Sequence, residues 1–157
     1  MRTRTTAREK LEKEQEAKIV DIPPKMVKRF GMGKMLIPRP IDVDALIRKV
    51  KKGKLVTQDE IRRRLAKDFK VDVACPITTG IFVRIAAEAA EEDLRGGGKQ
   101  ITPYWRVIKA DGGLNEKFPG GTKAQAACLR KEGHSVQAGK GKKPPQVKDF
   151  EKFLQKL

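Results

Sequence analysis

A capped amphipathic segment at residues 57–67 constrains the fold of this chain more than any other feature. Thr57 is followed three residues later by Glu60, the spacing of a capping box, in which the two side chains bond each other's backbone N–H groups. Ile61 and Leu65 then fall on one face of the following helix, and basic side chains fall on the other. This pattern predicts a helix that starts after Thr57 and packs one face into a core.

A second amphipathic segment predicts a helix from Gly80 to about Leu94, opened by Thr78 or Thr79. Its expected apolar face consists of Ile81, Phe82, Ile85, Ala86 and Ala89. The other face, which is expected to approach a surface, carries Thr79, Val83, Arg84 and Ala87. Helix, connector and helix form the layout of a helix-turn-helix whose second helix reads a groove of DNA. Many helical domains show two adjacent amphipathic helices, so the pattern alone leaves the function open.

Positive charge is concentrated beside these two segments. The chain carries 36 Lys and Arg against 20 Asp and Glu, a net charge of +16. Residues 24–54 hold ten basic and two acidic residues, and residues 138–157 hold six basic and two acidic residues. Residues 55–137, in contrast, hold 14 basic and 11 acidic residues. Basic flanks beside a near-neutral core predict a polyanionic partner, nucleic acid before membrane, although a solvated surface has a similar composition.

Several classes of protein are disfavoured because their sequence signatures are missing. No apolar run approaches the roughly 20 residues of a membrane-spanning helix, and no signal-peptide core is present. We therefore expect a soluble intracellular protein with no membrane partner. Cys75 and Cys128 lack metal-ligand spacing, and no glycine-rich nucleotide-binding loop is present, so we expect no metal, no cofactor and no disulfide.

The chain divides into four predicted parts: a charged N-terminal arm, helical or disordered (1–23), a basic extended strap (24–40), a folded domain (41–136), and a basic linker with a short C-terminal helix (137–157). Only Leu11 is a sizeable apolar side chain between residues 2 and 18, so the arm has nothing to bury. Within the domain, Asp42 is expected to cap a short helix over residues 43–50. A last helix is predicted to start at a Thr122–Gln125 capping box and to end at Gly133.

The only tyrosine and the only tryptophan are neighbours, Tyr104 and Trp105, in a short β-type run that ends at Ile108. Aromatic faces stack on nucleobases, and Arg106 beside them can pair with phosphate. A buried Tyr and Trp can equally fill a small core. The residues alone leave both roles open.

An ordered set of residues extends from this aromatic pair to the end of the last predicted helix: Pro103-Tyr104-Trp105-Arg106-Val107-Ile108, Asp111-Gly112, Leu114, Gly120-Gly121, Lys123, Leu129 and Glu132-Gly133-His134. The set resembles the C-terminal domain of the O6-alkylguanine-DNA alkyltransferases, in which a Pro-Cys-His-Arg-Val run carries the acceptor cysteine. Residues 53–57 resemble the entry to that family's helix-turn-helix, so the resemblance spans roughly residues 40–134. It implies a mainly α, winged helix-turn-helix-like domain with short β elements, extended by a basic N-terminal arm and a C-terminal tail.

Two departures from the family pattern affect the chemistry. Tyr104 stands where the family has its acceptor Cys, and Trp105 stands where it has the activating His. Alkyl transfer needs a thiolate, and a phenol with a reference pKa of about 10 and no neighbouring His does not replace it. Glu132 matches the third member of the family's Cys-His-Glu relay, and without the relay we expect it to be structural. We therefore predict that the chain is not an enzyme.

Three further departures concern DNA recognition. Gln58 stands where the family usually has a Tyr that turns a phosphate, and no Asn-Pro hinge precedes the aromatic motif. Arg84 is the only candidate for the arginine with which the family displaces a base, and it lies about one turn from the expected place. These differences weaken the case for flipping a base out of the duplex.

The resemblance implies a non-catalytic DNA-binding protein like the alkyltransferase-like branch of the family, which binds alkylated DNA without repairing it. The alternative is a structural nucleic-acid-binding protein, nucleoid-associated or RNA-directed, whose lesion pocket is filled. Predicted nucleic-acid contacts are Lys51, Lys52, Lys54, Thr57, Gln58, Arg62, Arg63, Thr78, Thr79, Arg84 and Arg106, and the predicted lesion pocket is Tyr104, Trp105, Phe118 and Glu132. The expected partner is double-stranded DNA, with RNA as the alternative and other repair proteins as further partners. We expect a cytoplasmic monomer associated with DNA in a nucleoid or nucleus.

Overall fold

A computed structural model describes residues 6–13 and 16–157. Its α-helices are α1 (Ala7–Glu12), α2 (Pro24–Phe30), α3 (Pro40–Arg48), α4 (Gln58–Asp68), α5 (Pro76–Arg95) and α6 (Gly121–Lys131). Its strands are β1 (Lys18–Asp21), β2 (Lys34–Ile37), β3 (Val56–Thr57), β4 (Val73–Ala74), β5 (Val107–Ile108), β6 (Val136–Gln137) and β7 (Gln146–Val147). Two 3₁₀ turns cover Tyr104–Arg106 and Phe150–Phe153.

The core is arranged around α5, which is 20 residues long and packs against α1, α3 and α4. Its buried face consists of Thr79, Val83, Ala86, Ala87, Ala89 and Ala90, each fully buried. These side chains are small, so the neighbouring helices approach the α5 backbone closely. No helix in the described part of the chain is long and apolar enough to cross a membrane.

The prediction for α5 is wrong in its start and only partly right in its orientation. Ala86 and Ala89 are buried and Phe82 and Ile85 pack against the core as expected, whereas other positions are misplaced. The helix starts at Pro76, because a proline at the first helical position has a suitable φ angle and needs no N–H partner. Thr79, Val83 and Ala87 lie in the core rather than at a surface, and Ile81, expected inside, is 44% exposed. Val83, Ala86, Ala87 and Ala90 form a stripe of small side chains, which lets the neighbouring helices approach α5 more closely than isoleucines would. The helix is therefore rotated about its axis relative to the predicted orientation.

The prediction for α4 is confirmed in its start and its buried face. Thr57 is the N-cap, and its side chain accepts a hydrogen bond from the N–H of Glu60 at 3.1 Å. Ile61 and Leu65 are buried, at 0% and 2% exposure. The reciprocal half of the capping box is replaced, because the Glu60 carboxylate binds Arg63 and the N–H of Leu157.

Residues 24–40 are not an extended strap, because they contain α2, β2 and the first residue of α3. β2 pairs antiparallel with β1, with Lys18 opposite Ile37, and parallel with β4, with Met35 opposite Val73. α3 starts at Pro40, and Asp42, predicted as its N-cap, lies at the third helical position and binds the N–H of Arg39. The segment is an integral layer of the fold.

The N-terminal arm has a packing partner that its composition does not indicate. α1 lies against α5 and α3, and Leu11 is 1% exposed. The Glu92 carboxylate accepts hydrogen bonds from the N–H groups of Ala7 and Arg8 at 2.8 and 2.9 Å. The first turn of α1 is thus capped from α5. The rest of the arm prediction, at residues 1–5 and 14–15, lies outside the described residues.

The C-terminal region is also folded onto the domain. β6 and β7 form an antiparallel hairpin within the predicted linker, and the predicted C-terminal helix is only a 3₁₀ turn. The Gln155 side chain accepts from the N–H of Lys51 and donates to the carbonyl of Lys49. α6 ends as predicted, with Gly133 at φ +95° after it, but begins after Gly120 rather than at a Thr122 cap.

Candidate nucleic-acid interface

A groove of about 480 Å³ lies between the first half of α5 and the loop that follows β5. Gln58, at the start of α4, closes one side of it. The lining residues are Gln58, Ile77, Gly80, Ile81, Arg84, Lys109, Asn115, Glu116 and Lys117. The structure thus brings together two of the predicted contacts, Gln58 and Arg84, with loop residues that the sequence did not single out.

The groove face of α5 combines apolar and cationic side chains. Ile77 and Ile81, one helical turn apart, are 58% and 44% exposed. Arg84 follows on the same face, with a side chain 44% exposed and a long 4.0 Å ion pair to Glu88. Gly80 lies on α5 between Ile77 and Ile81 in the sequence. A Cβ atom at Gly80 would lie 3.7 Å from the Gln58 side-chain oxygen, so α4 and α5 are close together at this point. This end of the helix therefore offers an apolar edge and a nearly free guanidinium to a partner.

The loop after β5 is held by a fully buried glutamine. The Gln125 side-chain N–H₂ donates to the carbonyls of Trp105 and Val107 at 3.1 and 3.0 Å, and its oxygen accepts from the N–H of Asn115 at 2.8 Å. The sequence predicts only a helix-capping role for Gln125, because a glutamine in the first turns of a helix carries no distinct signal for binding a distant loop. The bonds fix the position of the loop that bears Lys109 and Lys117.

Lys51, Lys52 and Lys54 are exposed on the turn between α3 and β3, outside the groove lining. Arg62 is ion-paired with Asp59, and Arg63 with Glu60 at 2.8 Å. These two arginines would have to give up or share an acidic partner to bind phosphate. The three lysines are not ion-paired within the described residues, which makes them the more available predicted cations.

Three of the predicted contacts have their polar groups engaged or buried. The Thr57 oxygen is used as an N-cap, and the Thr78 hydroxyl lies 3.3 Å from Cys75 Sγ. Thr79 is fully buried in the core. The prediction of a Thr79 contact to nucleic acid is wrong, because the actual packing of α5 turns that side chain inward.

Arg106 is likewise wrong as a phosphate contact, because it is bound inside the protein. Its side chain is 13% exposed and forms a 2.7 Å ion pair with Glu132, whose side chain is 8% exposed. Arg106 also donates to the carbonyl of Val50 at 2.5 Å, and the Trp105 indole N–H donates to Glu132 at 3.0 Å. Burial alone raises the pKa of Glu132, but the hydrogen bonds from Arg106 and Trp105 outweigh it and lower the pKa below its usual value.

The predicted lesion pocket is occupied by its own aromatic side chains. Tyr104 is 1% exposed, and its ring meets those of Trp105 and Phe118 edge to face at centroid distances of 5.4 and 5.3 Å. The Tyr104 hydroxyl donates to the Glu91 carboxylate at 2.5 Å. A base could enter this region only if these rings moved. Open volume beside α5 lies in the groove and in a second cavity of about 630 Å³, whose α5 lining carries three glutamates, Glu88, Glu91 and Glu92.

The buried phenol and the two thiols are poor nucleophiles in this arrangement. Burial and the hydrogen bond to Glu91 raise the pKa of Tyr104 far above its usual value. Burial also raises the pKa of the Cys128 thiol, and Cys75 is buried. Tyr104 and Cys128 therefore stay protonated near neutral pH. Within residues 6–13 and 16–157, no cluster of three or more His, Cys, Asp or Glu side chains could hold a metal ion.

The fold is that of the alkyltransferase-like proteins, with the long α5 beside a basic groove. Among solved structures, the chain is similar to that of S. pombe Atl1 in complex with damaged DNA containing O6-carboxymethylguanine. The match has a TM-score of 0.55 at 17% sequence identity and covers 75% of this chain and 94% of that chain. No protein-family model and no curated protein matches the sequence. The similarity confirms the expected mainly α fold with short β elements.

Proposed function

We propose that this protein is a non-catalytic DNA-binding protein that binds duplex DNA through the groove face of α5 and favours alkylated or otherwise damaged sites. The observation that carries the proposal is the exposed set Ile77, Ile81 and Arg84 beside Lys109 and Lys117. The similarity in fold to Atl1, whose structure contains damaged DNA, supports the same conclusion.

The apolar edge of α5 supplies a mechanism for preferring damaged sites. Aliphatic side chains inserted between base pairs unstack them, at a cost of a few kcal/mol per step. That cost is lowest where a base is damaged or poorly paired. In this mechanism, Ile77 and Ile81 contact the base faces that are exposed when the damaged base leaves the stack. The Arg84 guanidinium neutralises the adjacent phosphate or stacks on a base.

The displaced base is proposed to enter the groove rather than the site of Tyr104. A volume of about 480 Å³ falls in the range of about 300–1,000 Å³ that small-molecule sites commonly have. Asn115 and Gln58 line the groove with amide groups that can bond the edge of a base. Tyr104, Trp105 and Phe118 then act as a rigid support behind the loop.

Phosphate contacts come from cations near the groove and on the α3–β3 turn, namely Arg84, Lys109, Lys117, Lys51, Lys52 and Lys54. Arg84 and Lys109 form only long ion pairs of 4.0 Å, with Glu88 and Glu116, which a phosphate can replace. Neutralising about six phosphates or more gives a slope of log K against log salt of about −5 or steeper. We further propose that the protein acts as a monomer on DNA in the nucleoid or nucleus and passes the damaged site to other repair proteins.

The test is a competition assay at fixed salt among an unmodified duplex, the same duplex with one O6-alkylguanine, and an RNA of the same sequence. We expect the alkylated duplex to bind at least tenfold tighter than the unmodified one, and the RNA to bind most weakly. Intact mass of the protein after incubation is expected to show no transferred alkyl group. A transferred alkyl group would contradict the non-catalytic assignment, and an affinity independent of salt would contradict the proposed contacts.

The burial of Tyr104 favours a second candidate, a structural nucleic-acid-binding protein whose old lesion pocket is filled. This candidate predicts equal binding to alkylated and unmodified duplexes. The competition assay therefore separates the two functions. Preference for RNA would select the RNA-directed form of the second candidate.

A further inference from the structure

The hairpin formed by β6 and β7 carries a cluster of lysines that the proposed groove contacts do not use. β6 and β7 pair through Val136 opposite Val147 and enclose residues 138–145, where Lys140, Lys142 and Lys143 are all exposed. The N–H of Lys143 donates to the carbonyl of Lys140 at 3.1 Å and closes a turn at the tip. These lysines are not ion-paired within the described residues.

The hairpin has a defined backbone conformation, although its composition resembles that of a flexible linker. A Cβ atom on Gly139 would lie 2.1 Å from the carbonyl oxygen of Lys143, so this close approach of the two arms needs glycine. Gly141 at the tip has φ +61°, a conformation that glycine adopts without strain. The lysines are therefore presented on a turn and not on a free tail.

The hairpin is attached directly to the loop that lines the groove. The N–H of Leu114 donates to the carbonyl of Pro145 at 2.9 Å, and the N–H of Val147 donates to the carbonyl of Gly112 at 3.0 Å. Gly113 and Gln146 form an isolated β-bridge. Residues 112–114 lie between Lys109 and Lys117, which line the groove. The backbone thus connects the hairpin with the groove loop through three consecutive residues.

This geometry points to the β6–β7 hairpin as a second DNA contact, a basic clamp that binds the phosphate backbone of the duplex beside the segment held by α5. The inference rests on the proposed function. Three unpaired ammonium groups on one turn complement a polyanion, and the backbone bonds attach the base of the hairpin to the loop that carries the groove lysines. The clamp would add affinity without distinguishing one base sequence from another, because phosphate contacts position a protein but read no bases.

The test is a charge-neutralising triple variant, Lys140→Gln with Lys142→Gln and Lys143→Gln, compared with wild type over a range of salt. Each lost phosphate contact lowers the steepness of log K against log salt by about 0.9, so we expect a decrease of about 2 to 3. The affinity at low salt should fall at least tenfold. The preference for an alkylated over an unmodified duplex should be kept, since α5 is unchanged.

The matched control is Lys18→Gln with Lys25→Gln and Lys28→Gln, three exposed lysines on β1 and α2, which do not line the groove. This variant removes the same net charge, and we expect it to change the slope by less than 1. If the two variants changed the slope equally, the loss of affinity would come from net charge and the proposed clamp would be wrong. The clamp would also be wrong if the hairpin variant kept the wild-type slope of log K against log salt. Failure of the wild-type protein to bind DNA would instead refute the proposed function.

Discussion

Tyr104 is a buried aromatic residue whose ring and hydroxyl both have partners inside the protein. It stands at the position of the acceptor cysteine in the alkyltransferase pattern, yet its ring is packed between Trp105 and Phe118 and its hydroxyl is bonded to Glu91. The neighbouring Trp105 and Arg106 both bond to Glu132. Each of these groups has its partner inside the protein, so these side chains stabilise the loop behind the groove.

We predict that Tyr104→Phe leaves DNA binding within about twofold of wild type and lowers the free energy of unfolding by about 1.5–3 kcal/mol, the typical net value of one hydrogen bond to a charged group. Tyr104→Ala should cost about 3–5 kcal/mol, because it removes a buried ring and leaves a cavity. Urea denaturation and the competition assay measure the two effects. If Tyr104→Phe abolished the preference for alkylated DNA while the protein remained folded, the hydroxyl would contact the lesion and the supporting role would be wrong.

At the scale of elements, α5 joins the core to the groove. Its alanine-rich side packs against three other helices, and its opposite side presents Ile77, Ile81 and Arg84. A helix whose inner face is made of small residues lies close to its neighbours and is rigid, which is consistent with the proposed role of α5 in unstacking bases.

We predict that Ile77→Ala with Ile81→Ala reduces the preference for an alkylated over an unmodified duplex by at least fivefold, because truncation removes the surface that replaces the displaced base. Stability should change little, since both side chains are exposed. The preference is measured by competition binding, and local unstacking by the fluorescence of a base analogue next to the lesion. The matched control is Ile41→Ala with Leu94→Ala, which truncates two exposed side chains outside the groove and should retain the preference.

At the scale of the whole molecule, segments distant in sequence close the fold around the central helix. α1 lies on α5 with its first turn capped by Glu92, the β1–β2–β4 sheet packs against α4, and the C-terminal residues bond to the α3–β3 turn. The regions whose basic composition predicted flanking segments are therefore part of one folded unit with α4 and α5.

We predict that Leu11→Ala lowers the free energy of unfolding of the protein by about 2–4 kcal/mol, as expected for a fully buried leucine. Met32→Ala is the matched control, because Met32 is 87% exposed, and it should change stability by less than about 0.5 kcal/mol. Both values come from urea denaturation followed by circular dichroism. A loss below about 0.5 kcal/mol for Leu11→Ala would mean that α1 is not docked in solution.

The sequence by itself determined the features that depend on local chemistry. The N-cap at Thr57, the buried face of α4 and the end of α6 at Gly133 follow from residues within a few positions of one another, and the structure confirms them. The ordered motif from Pro103 to His134 indicated the alkyltransferase-like fold. The absence of a cysteine at position 104 can likewise be read directly from the chain.

Only the tertiary structure decided which side chains are buried and which are exposed for binding a partner. The rotation of α5 depends on three packing partners, so periodicity alone placed Ile81 in the core and Thr79 at the surface. The burial of Arg106 depends on Glu132, which lies 26 residues away, and the attachment of the lysine hairpin depends on hydrogen bonds to Gly112 and Leu114. Such contacts join residues far apart in the chain, and their energies depend on positions that no local pattern specifies.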